Sequence, residues 1–362
     1  MEELSFCILT RDPAVYSIRR LREEILKRDH KVEILDPVDL YSYISPVTSG
    51  HDRIYKKEPE KDKKIHTKDF DIIIPRIAGR STFDYSCTIV EQFEKNKKIF
   101  STASANGLKT ASNKLLTAQK LSQNKIRTIK QVFARNPLNY KFLTDLVDGK
   151  PIVCKTQTGS QGSGVFILND DLSISTTLQS FANAGIDIII QKYIDTGTPK
   201  SDLRIYVIGA ETENPKLFAY KRFSISEDFR SNYSLSKSGE QVELTEEEKE
   251  MSINACKACG LRIGAVDIMR DAQDDDKPYL NEVNGNGGLK GIEAVTEKNI
   301  AGAIIEYCEE NYKNKTYDFS TTAIHNDMTI AELFEKYRTL EKFGQIFAEQ
   351  FEKYCKTKSN PF

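Results

Sequence analysis

The sequence predicts an α/β layout over its first part that passes into mixed α+β. Three observations carry this expectation. Apolar tetrads alternate with a helical-period segment in residues 1–105, a Gly- and Ser-rich loop separates two apolar strands near residue 160, and two late apolar strands carry acidic and amide residues two positions apart. The chain has 362 residues, 39% of them hydrophobic, which is enough for two or three packed subdomains.

Taken in order, Phe6-Cys7-Ile8-Leu9 reads as a short buried strand, and Ile18, Leu21, Ile25 and Leu26 predict a helix over 17–29. Val32-Glu33-Ile34-Leu35, stopped by Pro37, is a second strand, and Asp71-Ile72-Ile73-Ile74, ended by Pro75, a third. Residues 41–68 read as polar and irregular. Strands alternating with helices predict a parallel sheet. The second region, 106–200, has a helix over 112–123, strands at 151–155 and 165–168, a helix near 175–184 and an apolar strand at 186–193. The third, 201–312, has strands at 203–208, 216–222, 263–270 and 278–284, a helix over 246–259, and one long helix over 292–312. The tail, 313–362, is charged and helix-rich; Ile330, Leu333, Phe334 and Tyr337 share one helical face, and Phe343, Phe347, Phe351 and Tyr354 another.

A net charge of −1 gives no reason to expect a nucleic-acid or anionic-membrane partner. No apolar run approaches the ~20 residues of a membrane span. The start, Met1-Glu2-Glu3, lacks the basic opening of a signal peptide, so a cytoplasmic protein is expected, its seven scattered cysteines reduced. Cys256 and Cys259 form a C-x-x-C without a second pair, inside a predicted helix, and read as buried structural thiols rather than metal ligands.

The sharpest chemical signal lies in the last two strands of the third region. Asp267 sits in an apolar run, and Tyr279-Leu280-Asn281-Glu282-Val283-Asn284 follows an acidic turn. The side-chain period of two puts Glu282 and Asn284 on one face, which Asp267 reaches if the strands pair. Two carboxylates and an amide oxygen make a hard, all-oxygen site suited to Mg²⁺ on nucleotide phosphates. The competing reading, a solvated hairpin, is disfavoured by the flanking Ile263, Val266, Ile268, Leu280 and Val283.

The second signal is the loop 158–164. Gly159, Gly162 and Gly164 permit close backbone approach and positive φ, so that amide N–H groups can cradle phosphate. It lacks the G-K-[ST] of a Walker A loop and precedes a strand rather than a helix. Lys155, at the end of an apolar strand just ahead of it, reads either as a solvent-facing end or as a phosphate ligand.

These elements, in this order, resemble the ATP-grasp superfamily and, within it, the RimK branch of glutamate ligases that extend the C-terminus of a small-subunit ribosomal protein. The likeness runs through Leu9-Thr10-Arg11-Asp12, Arg20-Leu21-Arg22-Glu23, Ile74-Pro75-Arg76-Ile77, the glycine loop, Val266-Asp267-Ile268, Glu282-Val283-Asn284 and Gly288-Leu289-Lys290-Gly291-Ile292-Glu293, covering most of residues 4–312. It implies an ATP-grasp fold preceded by a small parallel-sheet pre-ATP-grasp domain: 1–105 N-terminal, 106–200 central, 201–312 C-terminal, and 313–362 a helical extension.

The resemblance also implies roles. Lys114 and Lys155 would hold ATP phosphates, and Gly159, Ser160, Gln161, Gly162 and Gly164 would cover them. Gln191, Lys192 and Tyr193 would form the adenine hinge, Asp202 would bind ribose, and Arg230, Ser231 and Asn232 would contact the transferred phosphate, with Arg230 catalytic. Asp267, Glu282 and Asn284 would hold Mg²⁺ or Mn²⁺. Lys192 departs from the family's usual hinge glutamate, and Gly285-Asn286-Gly287-Gly288 replaces a more usual Ala-Ser-Pro-Gly stretch. The implied reaction is carboxylate–amine ligation through an acyl-phosphate, adding glutamate to a protein or peptide C-terminus. The alternatives are a small-molecule, carrier-protein or peptide-natural-product acceptor, or a non-catalytic nucleotide-binding regulator. Arg11, Arg76 and Arg80 are candidates for a carboxylate-bearing substrate, because a guanidinium fork pairs bidentately with carboxylate. A homo-oligomer is expected, with no nucleic-acid or membrane partner.

Overall fold

The computed structural model describes residues 2–43, 53–56, 63–79, 81–96, 98–137, 139–157, 164–224 and 239–314. Its N-terminal part contains β1 (Ser5–Leu9), α1 (Tyr16–Lys27), β2 (Lys31–Leu35), β3 (Leu40–Ser42), β4 (Arg53–Lys56), β5 (Lys63–His66), β6 (Ile72–Pro75), α2 (Phe83–Glu94) and β7 (Phe100–Ser101). The order β2-β1-β6-β7 is parallel throughout, as the alternation of strands and helices predicts. Period two divides the strand side chains between two cores. Phe6, Ile8, Ile72 and Ile74 face the α1 side, while Cys7, Leu9 and Ile73 face α2.

Residues 41–68 are not uniformly irregular. β3, β4 and β5 pair as an antiparallel sheet, with Ile54 opposite Ile65 and both buried. One apolar residue per short strand suffices there because Leu40, Ile54 and Ile65 all join the α2-side core. A pattern window needs more residues than these strands offer.

The chain continues through α3 (Ala105–Ser112), α4 (Lys114–Gln123), β8 (Gln131–Ala134), α5 (Tyr140–Asp145), β9 (Ile152–Thr156), β10 (Val165–Leu168), α6 (Asp171–Asn183) and β11 (Ile188–Lys192). Asn113 ends α3 and caps α4, its Oδ1 accepting from the N–H groups of Leu115 (3.0 Å) and Leu116 (3.1 Å). The strands form an antiparallel sheet, β10-β9-β11-β8, closed by α5 and α6 over Ile152, Cys154, Ile174, Leu178 and Ile190.

The last part holds β12 (Ser201–Ile208), β13 (Lys216–Phe223), β14 (Gly239–Gln241), α7 (Glu246–Ala258), β15 (Ile263–Asp271), β16 (Lys277–Asn284), α8 (Leu289–Thr296) and α9 (Ile300–Lys313). Five antiparallel strands run β14-β13-β12-β15-β16. A capping box between Thr245 and Glu248 starts α7, which covers one face. The helix expected over 292–312 is in fact two. Glu297 adopts the left-handed region at φ 54°, and Asn299 restarts the helix by accepting from Gly302 N at 2.8 Å. This break lets α8 and α9 pack on the other sheet face and on α1, so that Ile8, Ile25, Tyr206, Ile292 and Ile304 share one core. Arg20 cements the same junction through Glu293 (3.1 Å) and Asn299 (2.9 Å). Among the described residues, no helix is long and apolar enough to cross a membrane.

Candidate active site

The strand pair β15–β16 places Asp267 directly opposite Glu282, and Ala265 opposite Asn284. A β-bulge lies between Asp267 and Ile268: Ile268 faces Leu280, so Asn281 is the extra residue. The bulge lets Leu280 and Val283, an odd number of positions apart, enter the same core. It turns Asn281 toward the central sheet, a feature that strict alternation does not anticipate.

Two lysines from different elements converge on this bulge. Lys114, the first residue of α4, lies 3.3 Å from Glu282 Oε1. A cation at a helix N-terminus opposes the helix dipole, so the position is not chosen for helix stability. Lys155, in β9, donates from Nζ to Asn281 Oδ1 at 3.4 Å. Burial pushes the Lys155 ammonium down to about 8, with Glu282 opposing and Lys114 adding to the shift. Its acceptor is a neutral amide at the long end of the hydrogen-bond range, which favours an additional anion. Both lysines line one cleft, with Thr117, Gln131, Leu280 and Glu282 among its other walls.

Behind the cleft lies a buried charge network. Arg204 grips Asp267 bidentately, and Arg222 Nη2 reaches Asp267 Oδ2 at 3.1 Å. Arg222 Nε also donates to Asp202 Oδ1 at 2.7 Å. Burial alone would raise the Asp267 carboxyl, but the two guanidinium groups outweigh it and hold it below the usual carboxylate range. Asp202, equally desolvated and held by one guanidinium beside a second carboxylate, is the higher of the two. The carboxylate of Asp202 is thus occupied by Arg222, a partner that the sequence reading did not name.

At the expected hinge, Gln191 is buried and donates to Gln131 Oε1 (2.7 Å), which connects it to the cleft wall. Lys192 Nζ lies 3.4 Å from Asp148 Oδ2, and Lys200 Nζ lies over the Tyr193 ring at 5.5 Å. Gly164 has φ +74°, and a Cβ there would stand 3.0 Å from Thr156 Oγ1, so glycine is needed at this end of the loop. Gly159, Ser160, Gln161, Gly162, Arg80, Arg230, Ser231, Asn232 and the tail beyond residue 314 lie outside the described residues. Arg11 is bound toward Thr82 (3.4 Å) and Asp36 (3.7 Å), whereas Arg76 donates to Gly287 O at 2.5 Å. Cys256 and Cys259 are buried free thiols, which burial pushes well above the ordinary thiol range, for Cys259 to about 12.

The residues present fit a nucleotide with a divalent cation. A carboxylate offers about four acceptor sites. Guanidinium donors take three on Asp267, leaving one on Oδ1, and Glu282 is half-buried with Lys114 at 3.3 Å. Asn284 keeps Nδ2 buried without a hydrogen-bond partner. Among the described residues, no three His, Cys, Asp or Glu side chains cluster. Two carboxylates and an amide suit an ion that shares its remaining ligands with phosphate.

Comparison with known proteins gives the family and the fold. The RimK-like ATP-grasp domain matches residues 111–308, and the RimK PreATP-grasp domain matches residues 4–108. A probable alpha-L-glutamate ligase of Marinobacter nauticus is 33% identical over 310 residues, covering 86% of this chain and 97% of the relative. Another, from Pseudoalteromonas atlantica, is 34% identical over 318 residues, covering 88% and 99%. Among solved structures, the Chryseobacterium gregarium RiPP-associated ATP-grasp ligase in complex with ADP and a leader and core peptide superposes with a TM-score of 0.62 at 17% identity, covering 85% of this chain and 97% of that one. D-alanyl-alanine synthetase A from Vibrio cholerae gives 0.60 at 13% identity, covering 87% and 100%. These distant likenesses establish the ATP-grasp fold.

Proposed function

The chain belongs to the RimK-like ATP-grasp family and is an ATP-dependent ligase, and from that premise we propose that it adds glutamate to the C-terminal carboxylate of a protein or peptide. The observation that carries the proposal is the convergence of Lys114 and Lys155 on the bulge beside Asp267 and Glu282. Glutamate is taken from the names of the relatives that align over nearly their whole length.

In this reading a substrate carboxylate oxygen attacks the γ-phosphorus of ATP. The bond to the β-phosphate oxygen breaks, and ADP and an acyl-phosphate result. An amine nitrogen then attacks the acyl carbon, phosphate leaves with the C–O electron pair, and the nitrogen loses its proton. Lys114 and Lys155 hold the phosphates and neutralise charge that grows on them. Arg204 and Arg222 keep Asp267 ionised and oriented, and Glu282 and Asn284 complete the oxygen set. Mg²⁺ or Mn²⁺, when bound, would supply charge neutralisation between the phosphates. Gln191, Lys192 and Tyr193 are assigned to the adenine, Asp202 to the ribose end, the loop Gly159–Gly164 to phosphate cover and Arg230 to the transferring phosphoryl group. The buried free thiols agree with a cytoplasmic location.

The test is ADP release with ATP, Mg²⁺ and labelled L-glutamate, followed by mass spectrometry of a cell extract treated in the same way. Glutamate-dependent ADP formation with label on a C-terminus is expected. ADP release that ignores glutamate, with no labelled product, would overturn the proposal.

A further inference from the structure

The bulge in β16 places one amide where the alternation of the strand would not. Val283 is buried in the core under α7, and a period of two leads back from it to Asn281, which would bury that amide near Val266 and Ile268. The bulge instead gives the core position to Leu280, 1% exposed, and leaves Asn281 half-buried in the wall of the cleft, next to Glu282. This register is held from outside the strand pair. Leu280 N donates to Arg127 O at 3.1 Å, Ile129 N donates to Leu280 O at 3.4 Å, and Thr128 bridges to Leu280. Residues 127–129 lead directly into β8, so the segment that opens the central sheet also fixes the strand position before Asn281.

On the other side of the cleft, the Lys155 backbone is fixed by pairing with Val165 on one side and Ile189 on the other. The sheet does not fix its side chain. An ammonium on a flexible four-carbon stem has many rotamers, and ordering it costs entropy. Asn281 Oδ1 accepts from Lys155 Nζ at 3.4 Å, a contact that joins the two sheets across the cleft. The acceptor is neutral, so it orients the ammonium without cancelling its charge. An ammonium has three donors, so one bond to Asn281 is compatible with bonds to anionic oxygens. A carboxylate at 281 would pair with Lys155 as an ion and, beside Glu282, would add a second negative charge to the same wall.

We propose that Asn281 is a positioning residue for nucleotide binding: the bulge aims its amide oxygen at the Lys155 ammonium, which is thereby held in the cleft with its full charge available to phosphate. The inference rests on the nucleotide-binding part of the ligase reading above and extends it to a residue that acts through Lys155.

The test measures the Kd of a non-hydrolysable ATP analogue with Mg²⁺ by calorimetry on the full chain, with a thermal melt of each variant. Asn281→Ala should raise the Kd by about 3- to 10-fold, the worth of one modest hydrogen bond, with a melting temperature near that of wild type. The same change made in a Lys155→Ala chain should leave the Kd of that chain unchanged, because the group it orients is gone. If Asn281→Ala does not fold, Asn281→Leu, closer to asparagine in volume, takes its place in the same comparison. Asn281→Asp keeps an acceptor of the same shape but pairs Lys155 as an ion, and should raise the Kd by about tenfold or more, less so at high salt. A purely structural hydrogen bond would be satisfied by aspartate. Equal fold-losses from the Asn281 change with and without Lys155, or a wild-type Kd in Asn281→Asp, would overturn the positioning role and leave the ligase reading standing. Failure of the wild type to bind the analogue would remove both readings.

Discussion

Arg204 holds Asp267 through two parallel hydrogen bonds, Nε to Oδ1 and Nη2 to Oδ2, each 2.6 Å. The pairing follows from the sheet, since β12 and β15 place the two residues directly opposite each other. Asp267 therefore enters any metal site already oriented and ionised. Arg222 completes the arrangement by bridging Asp267 and Asp202.

The bridge predicts non-additive stability. Arg222→Gln leaves Asp202 buried beside a second carboxylate without its counter-ion and should cost about 3–5 kcal/mol. Asp202→Asn in the same chain removes the orphaned charge and should restore part of that loss. Urea denaturation of the two single variants and the double variant measures this. Strict additivity would show that Arg222 does not couple the two acids.

Glu282 lies in a different regime. Its ion pair with Lys114 is partly exposed, with side chains 35% and 20% accessible, so the pair contributes only about 0–1 kcal/mol. Glu282→Gln should leave the melting temperature nearly unchanged and lower ADP release at least about 100-fold, because the charge serves the reaction rather than the fold. Comparable activity in the folded variant would remove Glu282 from the metal set.

Legibility in the sequence followed the length of each signal. The eight or nine residues of β12, β13, β15 and β16 carried enough apolar alternation to be read, and so did the Asp267, Glu282 and Asn284 pattern. The short strands β3 to β5 were not legible, since each hides a single apolar residue in a core assembled from elsewhere. The bulge at Asn281 escaped because it is defined by register with β15, not by residue type. Arg222 escaped for a similar reason: nothing local marks an arginine in an ordinary strand as the counter-ion of two acids. The split between α8 and α9 did leave a signal, Asn299 two residues after Glu297, which reads as a new N-cap.

Lys155 should give nucleotide binding a pH dependence. With its ammonium lowered to about 8, the free protein loses this charge as pH rises through 8. A bound phosphate would draw the proton back, so nucleotide affinity should fall between pH 8 and pH 10, by up to about tenfold per unit. For folding the sign is opposite: unfolded lysine keeps its proton to a higher pH, so Lys155 contributes stability present above its unfolded range and lost as pH falls through 8. Lys155→Ala should flatten the affinity profile and weaken binding at pH 7, less so at high salt. A profile that persists in the variant would assign the titration to another group.

Gly107 connects helix packing to the position of Lys114. Glycine inside a helix costs about 0.5–1 kcal/mol relative to alanine, so Gly107→Ala in α3 would ordinarily stabilise the chain. Here the added Cβ would lie 2.4 Å from Gly260 O and 3.0 Å from Gly260 C, both backbone atoms just beyond the end of α7. Neither can rotate away, so α3 must move, and an overpacked contact of this kind costs about 1–3 kcal/mol. Helix α3 ends at Asn113, the residue that caps α4 and presents Lys114 to Glu282, so the displacement is carried to Lys114. Gly107→Ala should therefore lower the melting temperature and raise the KM for ATP together, while Gly149→Ala, in an exposed turn where a Cβ meets nothing, strains only its own φ of +89° and leaves the KM alone. Thermal melts and ATP titrations on both variants decide it. A Gly107→Ala protein that melts higher than wild type would show that helix propensity outweighs the Gly107–Gly260 approach.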